Sequence, residues 1–214
     1  MSIQSFRILR LFLWGILIVV LLTVGTMYLL RGSILKSRET RPPAIVKTEE
    51  RTLKPVGEAP LFQLTKHDGS KFDVGTYMGK VFVVDFFFTK CNGICPTLQK
   101  NMRKVQQAHA GNDQVRFLSI SVDPKNDTPE VLAKMAKDIG ADTDTWAWTV
   151  GPSELTGEIA NGFMLIGSEV PGDILHSNRF VLVDGYGKIR GFYNGTEDGD
   201  VEDIIEDIGR LLGE

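Results

Sequence analysis

Two cysteines, Cys91 and Cys95, are the only thiols in this chain of 214 residues. They lie four positions apart, so they act as a pair or close a very small loop. A bridge across so short a loop constrains the unfolded chain only weakly. The pair therefore calls for a chemical explanation. Pro96 follows Cys95 directly, and proline suits the first turn of a helix because its missing N–H would have no intrahelical partner there. Cys95 thus falls at the amino terminus of a predicted helix. Free N–H groups and the helix dipole favour a thiolate at that place and lower the cysteine pKa. Gly93 is expected to let the loop fold back so that both sulfurs converge.

Two thiolates are soft ligands, suited to copper(I), zinc or iron–sulfur chemistry. Zinc and cluster sites usually take four protein ligands, and no further cysteine is present. Copper(I) accepts two sulfurs and one more donor, here one of three histidines, His67, His109 or His176. His67 falls in a predicted turn. His109 falls at the end of the predicted helix, where the dipole alone suits a histidine. His176 ends a proline- and glycine-containing loop before a strand, the kind of segment on which a scaffold carries functional groups. Met102 and Met135 fall on apolar helix stripes and read as core, as do Trp146 and Trp148.

The elements that must hold these residues come from the apolar pattern. Val81–Phe88 is a nearly continuous apolar run with β-branched and aromatic residues, suited to a strand buried on both faces. Leu98, Met102, Val105 and Ala108 recur at helical spacing from Pro96 to near Gly111. Val115–Val122 is the next strand. Thr128 caps a helix whose apolar face is Val131, Leu132, Met135 and Ile139. A shorter helix starts at Ser153. Arg179–Val183 and Lys188–Tyr193, joined through Asp184-Gly185, form a hairpin, and Val201 to Leu212 stripe a final helix. Phe62–Leu64 and Lys71–Val74 form an earlier hairpin. The order hairpin, β, α, β, α, α, hairpin, α makes an α/β layered domain. A cysteine loop between a buried strand and the following helix is the thioredoxin-like arrangement.

Charge and hydropathy divide the chain. Of the net charge of −3, residues 1–31 contribute +3 through Arg7, Arg10 and Arg31, leaving −6 on the remainder. An acidic body without a basic stripe argues against nucleic-acid binding. Leu11–Leu30 is a stretch of twenty residues without charge. That length spans a bilayer core of about 30 Å as a helix, and it exceeds a signal peptide's apolar region, with no small-residue cleavage site after it. Residues 1–31 are expected to be a membrane anchor, 32–55 a proline- and charge-containing linker, and 56–214 the folded domain. Local charge does not settle the orientation, since basic residues flank both ends of the span.

Phe88-Thr89-Lys90-Cys91-Asn92-Gly93-Ile94-Cys95-Pro96-Thr97 resembles the T-x-C-x-x-x-C-P loop of the Sco/SenC family. Ser121-Val122-Asp123-Pro124-Lys125-Asn126-Asp127-Thr128-Pro129-Glu130 is similar to that family's S-V-D-P-x-x-D-T-P segment. Leu155-Thr156-Gly157 and His176-Ser177 before a strand match in order. The resemblance runs from about residue 55 to the end. It implies a thioredoxin-like domain on a single-pass helix in the inner membrane, facing the bacterial periplasm, or in the mitochondrial inner membrane. It further implies delivery of copper to the CuA site of cytochrome c oxidase subunit II, or reduction of the cysteines of that site. The implied ligands are Cys91, Cys95 and His176, with Cys91 and Cys95 also a redox-active pair, and Asp123 a neighbour of the site or a loop cap. The family usually has Pro-Asp after the first cysteine, where this chain has Asn92-Gly93. A pure thiol–disulfide oxidoreductase is the alternative, and it needs the cysteines without His176. A peroxidase would want a proline–threonine context that Cys91 lacks.

Overall fold

A computed structural model describes residues 53–165 and 178–214, together with Leu21, Thr23 and Val24, which are helical. The chain divides into two units, Met1–Arg51 and Thr52–Glu214. The expected span Leu11–Leu30 lies outside the described residues apart from those three. Among the described residues no helix is long and apolar enough to cross a membrane. Residues 166–177, with His176, are also outside them.

The second unit is built on one eight-stranded sheet. Its strands are β1 (Gly57–Glu58), β2 (Gln63–Lys66), β3 (Lys71–Asp73), β4 (Val81–Phe87), β5 (Val115–Ser121), β6 (Trp146–Val150), β7 (Arg179–Val183) and β8 (Lys188–Asn194). The helices are α1 (Cys95–Ala108), α2 (Pro129–Ile139), α3 (Ser153–Gly162) and α4 (Asp198–Leu211). Across the sheet the order is β1-β8-β7-β4-β5-β6-β2-β3. β4, β5 and β6 run parallel, while β7 lies antiparallel to β4. This is the expected α/β thioredoxin-like layering with two additions. The short β1 and the whole of β6 do not show in the apolar pattern. β6 is buried at every residue, so it has no in–out alternation, and at five residues with Ala147 and Thr149 it lacks the long apolar run that marks β4.

All seven residues of β4 are buried, because each face of the strand meets its own core. Val81, Val83 and Phe87 join Leu98, Met102 and Val105 of α1, Leu132 of α2 and Ile204 and Ile208 of α4. Phe82, Val84 and Phe86 join Phe62, Phe72, Tyr77, Ile159 and Phe163 on the other side. The two-residue period of a strand sets this division. It also sends Asp85 toward α1. Ala108 and Val131, expected on buried stripes, are exposed; Ala136 takes the place on the buried face of α2. Both cysteines belong to the α1 core.

The core under α1 therefore fixes where the cysteine loop begins and ends. Leu98→Ala, one turn into α1, is expected to cost about 2–5 kcal/mol, as for other fully buried leucines. Urea unfolding of the variant against the wild type measures it.

Candidate metal and thiol site

The site lies where β4 ends. The chain leaves the sheet at Phe87, passes Phe88, Thr89 and Lys90, and enters α1 at Cys95. α1 has Ile94 at its N-cap with no side-chain cap, and its proline sits in the first turn. The opening amides of a helix have no intrahelical partner. Here the N–H groups of Cys95, the first helical residue, of the N-cap Ile94 and of Gly93 just before it face the Cys91 sulfur. A cysteine four residues ahead of the helix thus takes the place of a capping side chain.

The two sulfurs are consequently unequal. Burial raises the Cys91 pKa, but the S–H of Cys95 and the three backbone N–H groups outweigh it and bring the thiol below its ordinary value. Burial pushes Cys95 up; donation of its proton to Cys91, and negative charge on Cys91 and Asp85, push the same way against one N–H from Phe88. The expectation that the helix start favours a thiolate at Cys95 is therefore corrected. Spacing locates the helix start, but the amides point back toward Cys91, four residues before it. Both cysteines are free thiols; Cys91 is 9% exposed and Cys95 4%.

Gly93 also departs from expectation. Its φ is not left-handed, and a Cβ there would meet open space. The turn needs no glycine, and a larger residue at position 93 fits.

Behind the cysteines lies a buried polar network that the motifs alone do not reveal. Asp85 accepts from Gln99 Nε2 of α1 at 2.6 Å and from Ser119 Oγ at 2.5 Å, and Ser119 Oγ accepts from Trp146 Nε1 at 2.9 Å. Asp85 is fully buried, and burial pushes it up to about 7 despite the hydrogen bonds from Ser119 and Gln99. A carboxyl group inside the apolar run Val81–Phe88 is the signal that points to it.

Beside the cysteines, Asp123 proves to be a loop cap. Its carboxyl group accepts from Asn126 Nδ2 at 2.7 Å, and its carbonyl accepts from the N–H groups of Asn126 and Asp127. Asn126 in turn accepts from Lys90 Nζ, and Asp127 holds Thr89, so Asp123 reaches the cysteine loop through an intervening residue and not directly.

The histidines separate. His109 caps the far end of α1, and a helix of fourteen residues carries it about 20 Å from Cys95. His67 donates its backbone N–H to the Trp148 carbonyl beside β6, about three strand spacings, or roughly 14 Å, across the sheet from β4. Burial lowers the pKa of both. Neither joins the cysteines, and His176 lies outside the described residues. Among the described residues there is no group of three or more His, Cys, Asp or Glu side chains that could hold a metal ion. What is present is a two-sulfur donor set that belongs to the same apolar core as Phe87, Leu98 and Trp148. Soft sulfur donors fit copper(I) better than the hard cations that oxygen ligands hold.

The sequence model of the SCO1/SenC family matches residues 50–213. The SCO1 protein homolog of Bacillus subtilis is 34% identical over 152 residues, covering 69% of this chain and 79% of that protein. A SCO1/SenC family lipoprotein from Bacillus anthracis superposes with a TM-score of 0.67 at 34% identity, over 74% of this chain and 98% of its own. BsSco, a member of the Sco family of cytochrome c oxidase assembly proteins in which a disulfide switch was identified, superposes with a TM-score of 0.65 at 33% identity, over 74% and 95%.

Two outcomes follow from the geometry. Under limiting iodoacetamide Cys91 is modified faster than Cys95, and its rate falls only below the pH at which an ordinary thiol loses its thiolate; peptide mass spectrometry reads both. Asp85 binds its proton more tightly folded than unfolded. Its contribution to stability is therefore full below about pH 4, the ordinary carboxylate range, and is lost as pH rises through about 7. Asp85→Asn flattens that decline in unfolding measured across the range.

Proposed function

The chain belongs to the SCO1/SenC family, and on that premise we propose that it is a membrane-anchored copper-binding chaperone of cytochrome c oxidase assembly. Cys91, Cys95 and His176 hold copper(I) as cargo, and the destination is the CuA site of oxidase subunit II. Leu11–Leu30 is the single-pass anchor in the inner membrane and residues 32–55 the linker. The domain faces the periplasm, or the intermembrane space if the source is a mitochondrion.

The observation that carries this reading is the pair of free, buried thiols with Cys95 directed at Cys91. Two sulfurs already in hydrogen-bond contact can bind one soft ion with little rearrangement. The amides at Cys91 stabilise negative charge on sulfur, which a metal ligand needs. Their burial shields a bound ion from water and from stray ligands, as the apolar shell around a metal site does. His176 supplies the third donor, by the match of His176-Ser177 to the family pattern.

One observation favours a second activity at the same pair. Cys91 is the more exposed of the two buried cysteines and the one faced by three N–H groups, the features of an attacking thiol, while Cys95 is the more deeply buried resolving partner. The disulfide switch of BsSco supports reading these cysteines as reducible and oxidisable too.

Titration of the reduced full-length chain with copper(I) against a competing chelator distinguishes the two. Wild type takes up about one copper per chain, as two sulfurs and an imidazole complete one copper(I) site. Cys91→Ser and Cys95→Ser abolish uptake, and His176→Ala weakens it by about tenfold or more. If His176→Ala binds copper like wild type and supports oxidase assembly in cells, while Cys91→Ser does not, the thiol–disulfide reading replaces the copper reading.

A further inference from the structure

Asp127 is fully buried in a segment 38 residues away in sequence from the cysteine loop, yet it is bound to that loop. Its Oδ1 accepts from Thr89 Oγ1 at 2.5 Å, and its Oδ2 accepts from the Thr89 N–H at 3.0 Å and from Ser121 Oγ at 2.6 Å. One side chain thus holds both the backbone and the hydroxyl of Thr89, two positions before Cys91. Ser121, the last residue of β5, holds the carboxyl group from the sheet side.

Asp127 is itself well fixed. Its N–H donates to the Asp123 carbonyl at 2.9 Å. The next residue, Thr128, is the N-cap of α2, and Leu132 and Ala136 of that helix pack in the same core as the two cysteines. A chain of rigid parts therefore runs from α2 through Asp127 to Thr89. Beyond Thr89 only Lys90 intervenes before Cys91. The opposite end of the loop is fixed independently, since Cys95 is the first residue of α1.

We propose that Asp127 is the positioning residue of this site, clamping Thr89 so that the Cys91 sulfur is held within reach of Cys95. This rests on the two-cysteine site proposed above but not on which of its activities is dominant. A clamp of this kind raises the effective concentration of one thiol toward the other. It thereby favours any product that joins the two sulfurs, whether a disulfide or a shared ion.

The test equilibrates the purified full-length chain with glutathione and glutathione disulfide. In that exchange the Cys91–Cys95 bond forms as the S–S bond of glutathione disulfide breaks. The protein loses two electrons and two protons, and two glutathione thiols are released. Asp127→Asn keeps the shape but turns one acceptor into a donor. It is expected to lower the equilibrium constant for bridge formation by about tenfold, the effect of losing one charge-assisted hydrogen bond. Thr89→Val should move it in the same direction, and Thr89→Ser should restore it. Asp207→Asn, in a buried network with Tyr193 and Arg210 on α4, lowers the melting temperature without moving the glutathione equilibrium. If Asp127→Asn also lowers the melting temperature only, the clamp is a stability element and the proposal is overturned. If Asp127→Asn does not fold, Thr89→Val decides on the same terms: an equilibrium equal to that of Thr89→Ser and wild type overturns it. A wild-type chain that takes up no copper(I) yet shows the Thr89 and Asp127 shifts overturns the copper reading and leaves the clamp standing.

Discussion

A helix leaves its first amide groups without partners inside itself, and the N-cap residue of α1, Ile94, has no side chain that could supply them. The Cys91 sulfur lies where those amides point. Much of the site follows from this one constraint. A sulfur facing three N–H groups gains when it carries negative charge. That charge draws the proton of Cys95 toward it and holds the second thiol protonated. The two cysteines are equivalent in composition and are made unequal by the direction of a few backbone bonds. Removing a capping hydroxyl or carboxylate from the helix start is what frees the amides for this use.

Such a contact needs a rigid setting, and the surrounding structure provides one from three directions. β4 is buried along its whole length and delivers the chain to the site. α1 is seated by Leu98, Met102 and Val105. The third direction is polar: Asp85, Ser119, Trp146 and Gln99 link β4, β5, β6 and α1 beneath the cysteines. Hydrogen-bonded groups in a dry interior specify one arrangement more sharply than apolar packing, since any slip leaves a buried group unpaired. Asp85 adds a titratable charge behind Cys95 and so reinforces the difference between the sulfurs.

The elements that carry the site were legible because their patterns are strong. Val81–Phe87 is apolar on both faces apart from Asp85, and α1 announces itself by Pro96 and the spacing of Leu98, Met102 and Val105. β6 was not legible, because Trp146–Val150 has neither polar–apolar alternation nor the long β-branched run that marks β4; it is five residues with Ala147 and Thr149 between its larger side chains. The cysteine pair could be found by type and spacing. Which sulfur the amides favour could not, because that depends on where N–H bonds point and not on which residue starts the helix. Gly93 misled for a related reason: glycine permits a left-handed turn without requiring one, and the backbone there is ordinary. Asp127 reads in sequence as the opening of a helix, whereas its contacts with Thr89 and Ser121 arise from the parallel pairing of β4 with β5, which brings Phe87 beside Ser121. Asn92 and Gly93, which stand where the family usually has Pro-Asp, are both exposed, and Gly93 contributes one of the N–H groups that face Cys91.

Whether the two sulfurs and His176 form one copper(I) site can be read from the metal itself. X-ray absorption at the copper edge of the reduced, copper(I)-loaded full-length chain tests it most directly. The expected shell has two sulfur scatterers and one nitrogen scatterer, with the nitrogen lost and both sulfurs kept in His176→Ala. A first shell without sulfur, or one identical in wild type and His176→Ala, contradicts it.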